Sequence, residues 1–127
     1  MKPRSAAYLD AARVRLRSAH TLARSDPSTA LSTAYYAALY VARAALSEHD
    51  VQSRSHRGAW HEFRQRFVID GPIDADLATE MQRLQAEREQ ADYDAAEIPA
   101  ADADAAIAAV ERFIAAMAAT LEGTPPA

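Results

Sequence analysis

One apolar stripe of this sequence ends in charged residues. Leu77, Met81 and Leu84 recur at helical spacing, and the next positions on the same face are Arg88 and Asp92. A charged side chain on a core-facing stripe requires a partner or a ligand, because burial of an unpaired charge is unfavourable. An arginine can hold a phosphate through two parallel hydrogen bonds. The stripe therefore indicates either an anion site at Arg88 or an ordinary ion pair between Arg88 and Asp92.

A second apolar stripe begins with a histidine. His56 precedes Trp60, Phe63 and Phe67 on one helical face. An imidazole can transfer a proton near neutral pH. His56 is therefore a candidate acid or base, and the structural alternative is that it satisfies backbone groups at one end of the fold.

The two stripes form a hairpin that turns near Pro72. His56 and Arg88 are equally distant from Pro72 in the sequence. Residues equally distant from the turn of an antiparallel hairpin lie side by side, so we expect His56 and Arg88 to meet, with a register uncertainty of about one turn. Asp92 and Tyr93 are expected about one turn further out.

Two further arginines flank the start of the His56 helix. Arg54 and Arg57 stand beside its first backbone N–H groups, which carry partial positive charge and attract phosphate or carboxylate. Together with His56 and Arg88 they fit a metal-free site that cleaves RNA. The catalytic candidates are Arg88, His56, Tyr93 and Asp92, and the phosphate-binding candidates are Arg54 and Arg57.

No metal or cofactor site is expected. His56 and His61 are spaced poorly for one helix face, and His20 and His49 are isolated. The sequence contains no glycine-rich phosphate loop and no convincing nucleophile triad.

Five amphipathic helices position these residues. Asp26 and Pro27 form a capped helix start, and the run from Asp70 to Pro72 breaks a helix. We predict helices over residues 4–24, 27–48, 56–69, 74–93 and 102–121. Short connections between them predict an all-α fold, an antiparallel up-and-down bundle of four to five helices. Residues 1–127 form one domain, with its core at about 5–121 and a C-terminal tail at 122–127.

The second helix carries an unusual run of tyrosines among alanines. Tyr35, Tyr36 and Tyr40 have apolar rings and polar tips, and we predict that they pack in the core or at an interface rather than take part in catalysis. Alanines at 34, 38, 42 and 45 allow a neighbouring helix to approach closely.

Composition and charge limit the function classes. Half of the 127 residues are hydrophobic and none is cysteine, so disulfide and thiolate chemistry are excluded. We see no secretion signal and no membrane span, and we expect a cytoplasmic protein. Residues 1–69 carry a net charge of +6 and residues 70–127 carry −10. This asymmetry fits two solvated faces of opposite sign, a basic half that binds RNA or nucleotides, or an acidic half that binds a basic partner.

The sequence resembles the HEPN superfamily of small helical bundles, specifically its short stand-alone prokaryotic branch. Four pieces over about residues 5–121 carry the resemblance. They are the alanine- and tyrosine-rich run at 34–46, the Ser55-His56-Arg57-Gly58 segment with the helix after it, the Gly71-Pro72-Ile73 turn, and Arg88 with Ala91-Asp92-Tyr93.

The resemblance implies partners and an activity. HEPN proteins commonly form homodimers, often with their polar motifs facing each other. Many are toxins encoded beside a minimal nucleotidyltransferase that acts as antitoxin, and active members are metal-independent ribonucleases. Their signature is an arginine followed a few residues later by a histidine. Here Arg88 matches the arginine, whereas Asp92 and Tyr93 occupy the region where the histidine is expected.

Two functions remain open from the sequence, and a purely structural bundle is the third hypothesis. The first is a component of a toxin–antitoxin-type system that cleaves RNA, with His56 supplying the imidazole from another helix. The second is a non-catalytic HEPN dimer that binds RNA, a nucleotide or a partner nucleotidyltransferase. Tyr93 resembles loosely a tyrosine that such a partner modifies with AMP.

Overall fold

Helix α2 (Pro27–Glu48) is the central element of the structure. Helices α1 (Pro3–Leu22), α3 (His56–Phe63), α4 (Ala75–Asp94) and α5 (Ala100–Glu122) all contact it. The structure is a computed structural model and describes residues 1–95 and 97–123. The predicted all-α bundle is confirmed.

The sequence around α2 explains its position. The Asp26 side chain accepts a hydrogen bond from the Thr29 backbone N–H, and Pro27 occupies the first turn. Between Ala30 and Ser47 the helix is buried except for one partly exposed stripe, formed by Ser32, Thr33, Tyr36, Tyr40 and Arg43. The alanines predicted to allow close helix packing, at positions 34, 38, 42 and 45, are all fully buried.

Polar contacts establish the directions of the helices. Ser5, near the start of α1, donates a hydrogen bond to the Glu48 carboxylate at the end of α2, so α1 and α2 are antiparallel. Arg64 donates hydrogen bonds to Thr79 and Gln82 of α4, which closes the hairpin of α3 and α4. The hairpin geometry that the sequence predicts is thus present.

The third predicted helix is not one regular helix. The predicted bounds of 56–69 are confirmed, but only His56–Phe63 is α-helical (α3), and a π-helical segment follows directly at Arg64–Ile69. Phe67 stacks on Phe63 with ring centroids 5.3 Å apart. The backbone N–H of Ile73 then donates to the Phe67 carbonyl at 2.9 Å, and Gly71 lies so close to the Phe67 backbone that a Cβ there would overlap it. The wider π turn therefore directs the chain into the connection to α4.

The other predicted boundaries differ from the structure by about two residues, the usual uncertainty of helix ends. Helix α1 ends at Leu22 and α5 begins at Ala100. Residues 124–127, most of the predicted C-terminal tail, lie outside the described residues.

The core follows the predicted stripes. Helix α5 adds five buried apolar residues at helical spacing, namely Ile107, Val110, Ile114, Met117 and Leu121. Phe113 of α5 makes a tilted ring contact with Trp60 at a centroid distance of 6.0 Å and an edge contact with Phe63 at 5.5 Å. Among the described residues, no helix has both the length and the apolar character needed to cross a bilayer.

Candidate functional site

Two adjacent tyrosines of α2 form the platform of the candidate site. Tyr35 is fully buried, whereas Tyr36 is partly exposed. Their ring centroids are 5.6 Å apart and their planes meet at 63°. The pair therefore presents aromatic surface from the core to the protein surface.

Arg88 of α4 lies over both tyrosine rings. Its guanidinium carbon is 5.6 Å from the Tyr35 ring centroid and 5.3 Å from the Tyr36 centroid, which is the range of cation–π contacts. The side chain is only 17% exposed. Its Nε is buried and makes no hydrogen bond to any described residue. The charge of Arg88 is thus held against an aromatic surface with part of its hydrogen-bonding capacity unused.

His56 reaches the same tyrosines from the start of α3. Its Nδ1 is 3.3 Å from the Tyr35 hydroxyl oxygen, and its ring centroid is 5.7 Å from that of Tyr36. The Trp60 indole N–H donates to the same Tyr35 hydroxyl at 3.1 Å. A tyrosine hydroxyl has a rotatable proton and more than one lone pair. It can therefore satisfy Nδ1 in either imidazole tautomer, which leaves Nε2 as the ring nitrogen available to a ligand.

Burial and the neighbouring arginines change the pKa values of two groups in this site, His56 and Tyr35. Desolvation lowers the pKa of His56, and the positive charges of Arg43 and Arg88 lower it further, whereas Glu89 opposes them. Burial raises the pKa of Tyr35 above its ordinary value. At neutral pH His56 is consequently an uncharged imidazole, the form that can accept a proton.

The predicted meeting of His56 and Arg88 is confirmed, since both contact the rings of Tyr35 and Tyr36. The predicted ion pair is also present. Arg88 Nη1 donates to Asp92 Oδ2 at 3.3 Å, and the Asp92 side chain is 64% exposed. Such an exposed pair contributes about 0.3–0.5 kcal/mol to stability, so Asp92 constrains Arg88 only weakly.

The other predicted site residues are not brought into this cluster. Tyr93 is 88% exposed, and its side chain makes no hydrogen bond or ring contact within residues 1–95 and 97–123. Arg57 is exposed and likewise has none there. At the start of α3, Ser55 Oγ accepts a hydrogen bond from the Gly58 backbone N–H at 2.9 Å, so one donor of that helix terminus is already satisfied. Arg54 is exposed and lines a separate cavity with Arg43.

Sequence reasoning missed three residues of this region. The sequence predicts only a packing role for Tyr35 and Tyr36. Tyr35 is indeed buried, but the two rings also contact Arg88 and His56. Arg43 has no predicted role, although it is the one charged residue of α2 before Glu48 at the end of the helix. A lone charge in an apolar run is the signal that would have identified it.

The arrangement is suited to binding an anion. A partly buried guanidinium and a neutral imidazole share one aromatic platform, and the Tyr35 hydroxyl orients the imidazole. A phosphate can accept hydrogen bonds from the guanidinium, and a nearby hydroxyl of the ligand can exchange a proton with His56 Nε2.

Comparison with known proteins agrees with this architecture. The sequence model of the HEPN domain matches residues 4–120, nearly the whole chain. No curated protein and no solved structure matches the chain. On the strength of the match to the domain, this chain belongs to the HEPN family.

Proposed function

We propose that this protein is the HEPN component of a toxin–antitoxin-type system and acts on RNA as a metal-independent ribonuclease. The observation that supports the proposal is the contact of Arg88 and His56 with the same two tyrosines. The family signature requires an arginine and an imidazole at one site. In this chain His56 supplies the imidazole from α3, in place of a histidine after Arg88.

The residues have distinct roles in this mechanism. His56 Nε2 accepts the proton of a ribose 2′-hydroxyl, whose oxygen forms a bond to the adjacent phosphorus. The P–O5′ bond breaks, and the imidazolium returns the proton to the leaving 5′-oxygen. Arg88 balances the negative charge that grows on the phosphoryl oxygens. The products are a 2′,3′-cyclic phosphate and a free 5′-hydroxyl, with no water consumed in this step.

Two further parts of the proposal concern partners. We propose a homodimer and a minimal nucleotidyltransferase as antitoxin, both by analogy with the family. Tyr93 is the residue that such an enzyme would modify, and its nearly complete exposure makes its hydroxyl accessible. Mass spectrometry of the protein after incubation with that enzyme and ATP tests this part, through a mass increase that Tyr93→Phe abolishes.

The test of the nuclease is cleavage of end-labelled RNA by purified protein in the presence of a chelator. We expect Arg88→Ala and His56→Ala to abolish cleavage. Arg83→Ala on α4 and His61→Ala on α3 are matched controls, since both residues are exposed and neither contacts the tyrosines. Products bearing 2′,3′-cyclic phosphate support the mechanism. Cleavage that persists in Arg88→Ala would contradict it.

A second candidate is a HEPN module that binds RNA or a nucleotide without cleaving it. The sequence favours it, since no histidine follows Arg88 within reach and Asp92 and Tyr93 occupy that region. His56 can then contribute a hydrogen bond to a phosphate without transferring a proton. Fluorescence anisotropy with labelled RNA separates the two functions. Binding that Arg88→Ala weakens, with the RNA recovered intact, supports the module over the nuclease.

A further inference from the structure

A groove with acidic edges runs between α4 and α5. Its volume is about 500 Å³, and we call it the acidic groove. The apolar residues that line it include Leu31, Leu84, Ile98, Ala106 and Ala109. Its charged lining residues are Glu80, Glu87, Asp94, Asp102 and Arg83. Four of these five are carboxylates, so the groove combines an apolar floor with negatively charged edges.

Alanines of α5 explain why the two helices leave this space. Ala105 and Ala106 line the groove on the α5 side, and their side chains are too short to reach across to α4. Arg112 of α5 donates to Glu80 of α4 at 2.8 Å and joins the helices at one end of the groove. Ile98, in the connection between the helices, lines the other end. Between these ends the groove exposes apolar surface to water, which is unfavourable unless another molecule covers it.

Most carboxylates of the groove are not neutralised by the protein. Glu80 forms the ion pair already described. Asp94 accepts a hydrogen bond from the uncharged side chain of Gln90 at 2.6 Å. Glu87 and Asp102 are exposed, and neither forms an ion pair with any residue that the structure describes. The groove thus has negative charge available to a cationic partner.

Three of the carboxylates stand in line along α4. Glu80, Glu87 and Asp94 recur every seven residues, so they lie on one face of the helix at intervals of about 10 Å. Helices that pack side by side pair their charges at this same seven-residue spacing. A helix in the groove would therefore meet these carboxylates with lysines or arginines seven residues apart, while its apolar face covers the alanines of α5.

The groove differs in charge and in place from the tyrosine cluster, formed by Tyr35, Tyr36, His56 and Arg88. Residues 70–127 carry a net charge of −10, and carboxylates repel the phosphates of RNA. Arg88 belongs to α4 as well, but its guanidinium lies over the two tyrosine rings and does not line the groove. RNA is therefore a poor occupant of the groove, and a basic protein segment is a good one.

We propose that the acidic groove is the docking site for a basic amphipathic helix of a partner protein. The apolar side chains of that helix fill the space between α4 and α5. Its lysines or arginines pair with Glu87, Asp94 and Asp102. This inference does not depend on RNA cleavage.

Fluorescence anisotropy on the full chain tests the proposal with a designed peptide as the probe. The labelled peptide is about 18 residues long and carries a lysine at every seventh position, leucines on the adjoining helical face and alanines elsewhere. We expect a Kd of about 10 μM, since a groove of this size supports a small, transient interface. A peptide of the same composition, reordered so that lysines and leucines share no helical face, should bind at least about tenfold more weakly.

Charge variants test the edges of the groove. Glu87→Gln combined with Asp102→Asn should weaken peptide binding by about tenfold, because charge-assisted contacts are lost. Glu89→Gln combined with Asp104→Asn is the matched control. It removes equal charges from the same two helices, and both residues are exposed outside the groove. An equal loss in this control would show general electrostatic attraction and would overturn the proposal.

A bulky substitution tests the apolar floor. Ala105 is exposed and lines the groove, so Ala105→Trp should keep the fold and weaken peptide binding by about tenfold or more. Ala115→Trp, at an exposed alanine of α5 outside the groove, should leave binding unchanged. Unchanged affinity in Ala105→Trp would overturn the proposal. A wild-type dimer that Ala105→Trp dissociates would assign the groove to a second copy of the chain and would overturn the partner helix.

Variants of the tyrosine cluster separate this site from the proposed nuclease. His56→Ala and Arg88→Ala should bind the peptide as the wild-type protein does, whether or not they cleave RNA. Absence of peptide binding to the wild-type protein at about 200 μM would overturn the docking site and leave the nuclease unaffected.

Discussion

Arg88 of α4 and His56 of α3 contact the same two aromatic rings, those of Tyr35 and Tyr36 on α2. This relationship joins three helices at one site. The positive charge of Arg88 also lowers the pKa of His56, so the two side chains are coupled electrostatically as well as by packing. A change at either one is therefore expected to alter the behaviour of the other.

The titration of His56 tests this coupling. Burial, Arg43 and Arg88 together lower its pKa below the ordinary histidine value of about 6.5. Removal of either positive charge makes protonation easier, so Arg88→Gln and Arg43→Gln should each raise the pKa. The measurement is an NMR titration of the imidazole C–H resonances. Arg17→Gln serves as control, and an unchanged His56 pKa in both test variants would contradict the coupling.

The same shift predicts how stability depends on pH. The unfolded chain binds the His56 proton more readily than the folded protein, because the folded pKa is the lower one. The contribution of uncharged His56 to the free energy of unfolding is complete above pH about 6.5. It is lost as the pH falls through the pKa of His56 in the folded protein. Urea unfolding at several pH values should show this loss in the wild-type protein and a smaller one in His56→Gln. Equal pH dependence in both would show that other groups cause it.

The Tyr35 hydroxyl is expected to contribute to stability. Tyr35→Phe leaves the buried Trp60 indole N–H without its acceptor, which costs about 1–3 kcal/mol of unfolding free energy. Tyr36→Phe is a close control, since the Tyr36 hydroxyl makes no hydrogen bond within the described residues, and its change should stay within about 0.5 kcal/mol. Chemical denaturation measures both. Equal effects of the two substitutions would argue against the hydrogen-bonded chain.

Gly58→Ala is predicted not to stabilise the protein, although replacement of a helical glycine by alanine usually does. Replacement of a helical glycine by alanine ordinarily gains about 0.5–1 kcal/mol. Here the new Cβ would lie 2.7 Å from Ser55 Oγ and closer still to Ser53 Oγ, so Ser55 must abandon its cap. Loss of a cap costs about 1 kcal/mol, and Gly58→Ala should therefore bring no gain. In a protein that already carries Ser53→Ala and Ser55→Ala, the further substitution Gly58→Ala should raise the free energy of unfolding by the usual amount. No gain in that background would point to a different cause.

Asp92 is predicted to compete with ligands for Arg88. Asp92→Asn should change the unfolding free energy by less than about 0.5 kcal/mol, because the pair is exposed at Asp92. It should strengthen RNA binding by about two- to tenfold, because Arg88 then has no carboxylate partner. Asp94→Asn removes an equal charge from the same helix and is the control. Equal gains in both variants would indicate a general charge effect.

Local periodicity was sufficient to predict the helices and one contact of the site. The stripes through Trp60 and Met81, with the turn near Pro72, place His56 beside Arg88, because the register of a hairpin follows from its turn. The contact of both with Tyr35 depends instead on how α2 packs against that hairpin. This packing comes from the shapes of distant side chains, which local spacing does not reveal. The π-helical segment at Arg64–Ile69 has no local sequence signal for the same reason.

A double-mutant cycle of RNA cleavage tests the composite site most directly. Cleavage rates are measured with chelator for the wild-type protein, Arg88→Gln, His56→Gln and the double variant. Residues that act as one catalytic unit are non-additive, so each single substitution should cost nearly as much as both together. A double variant whose loss equals the product of two independent single losses would contradict a shared site. Absence of cleavage by the wild-type protein would contradict the nuclease itself and leave the binding module.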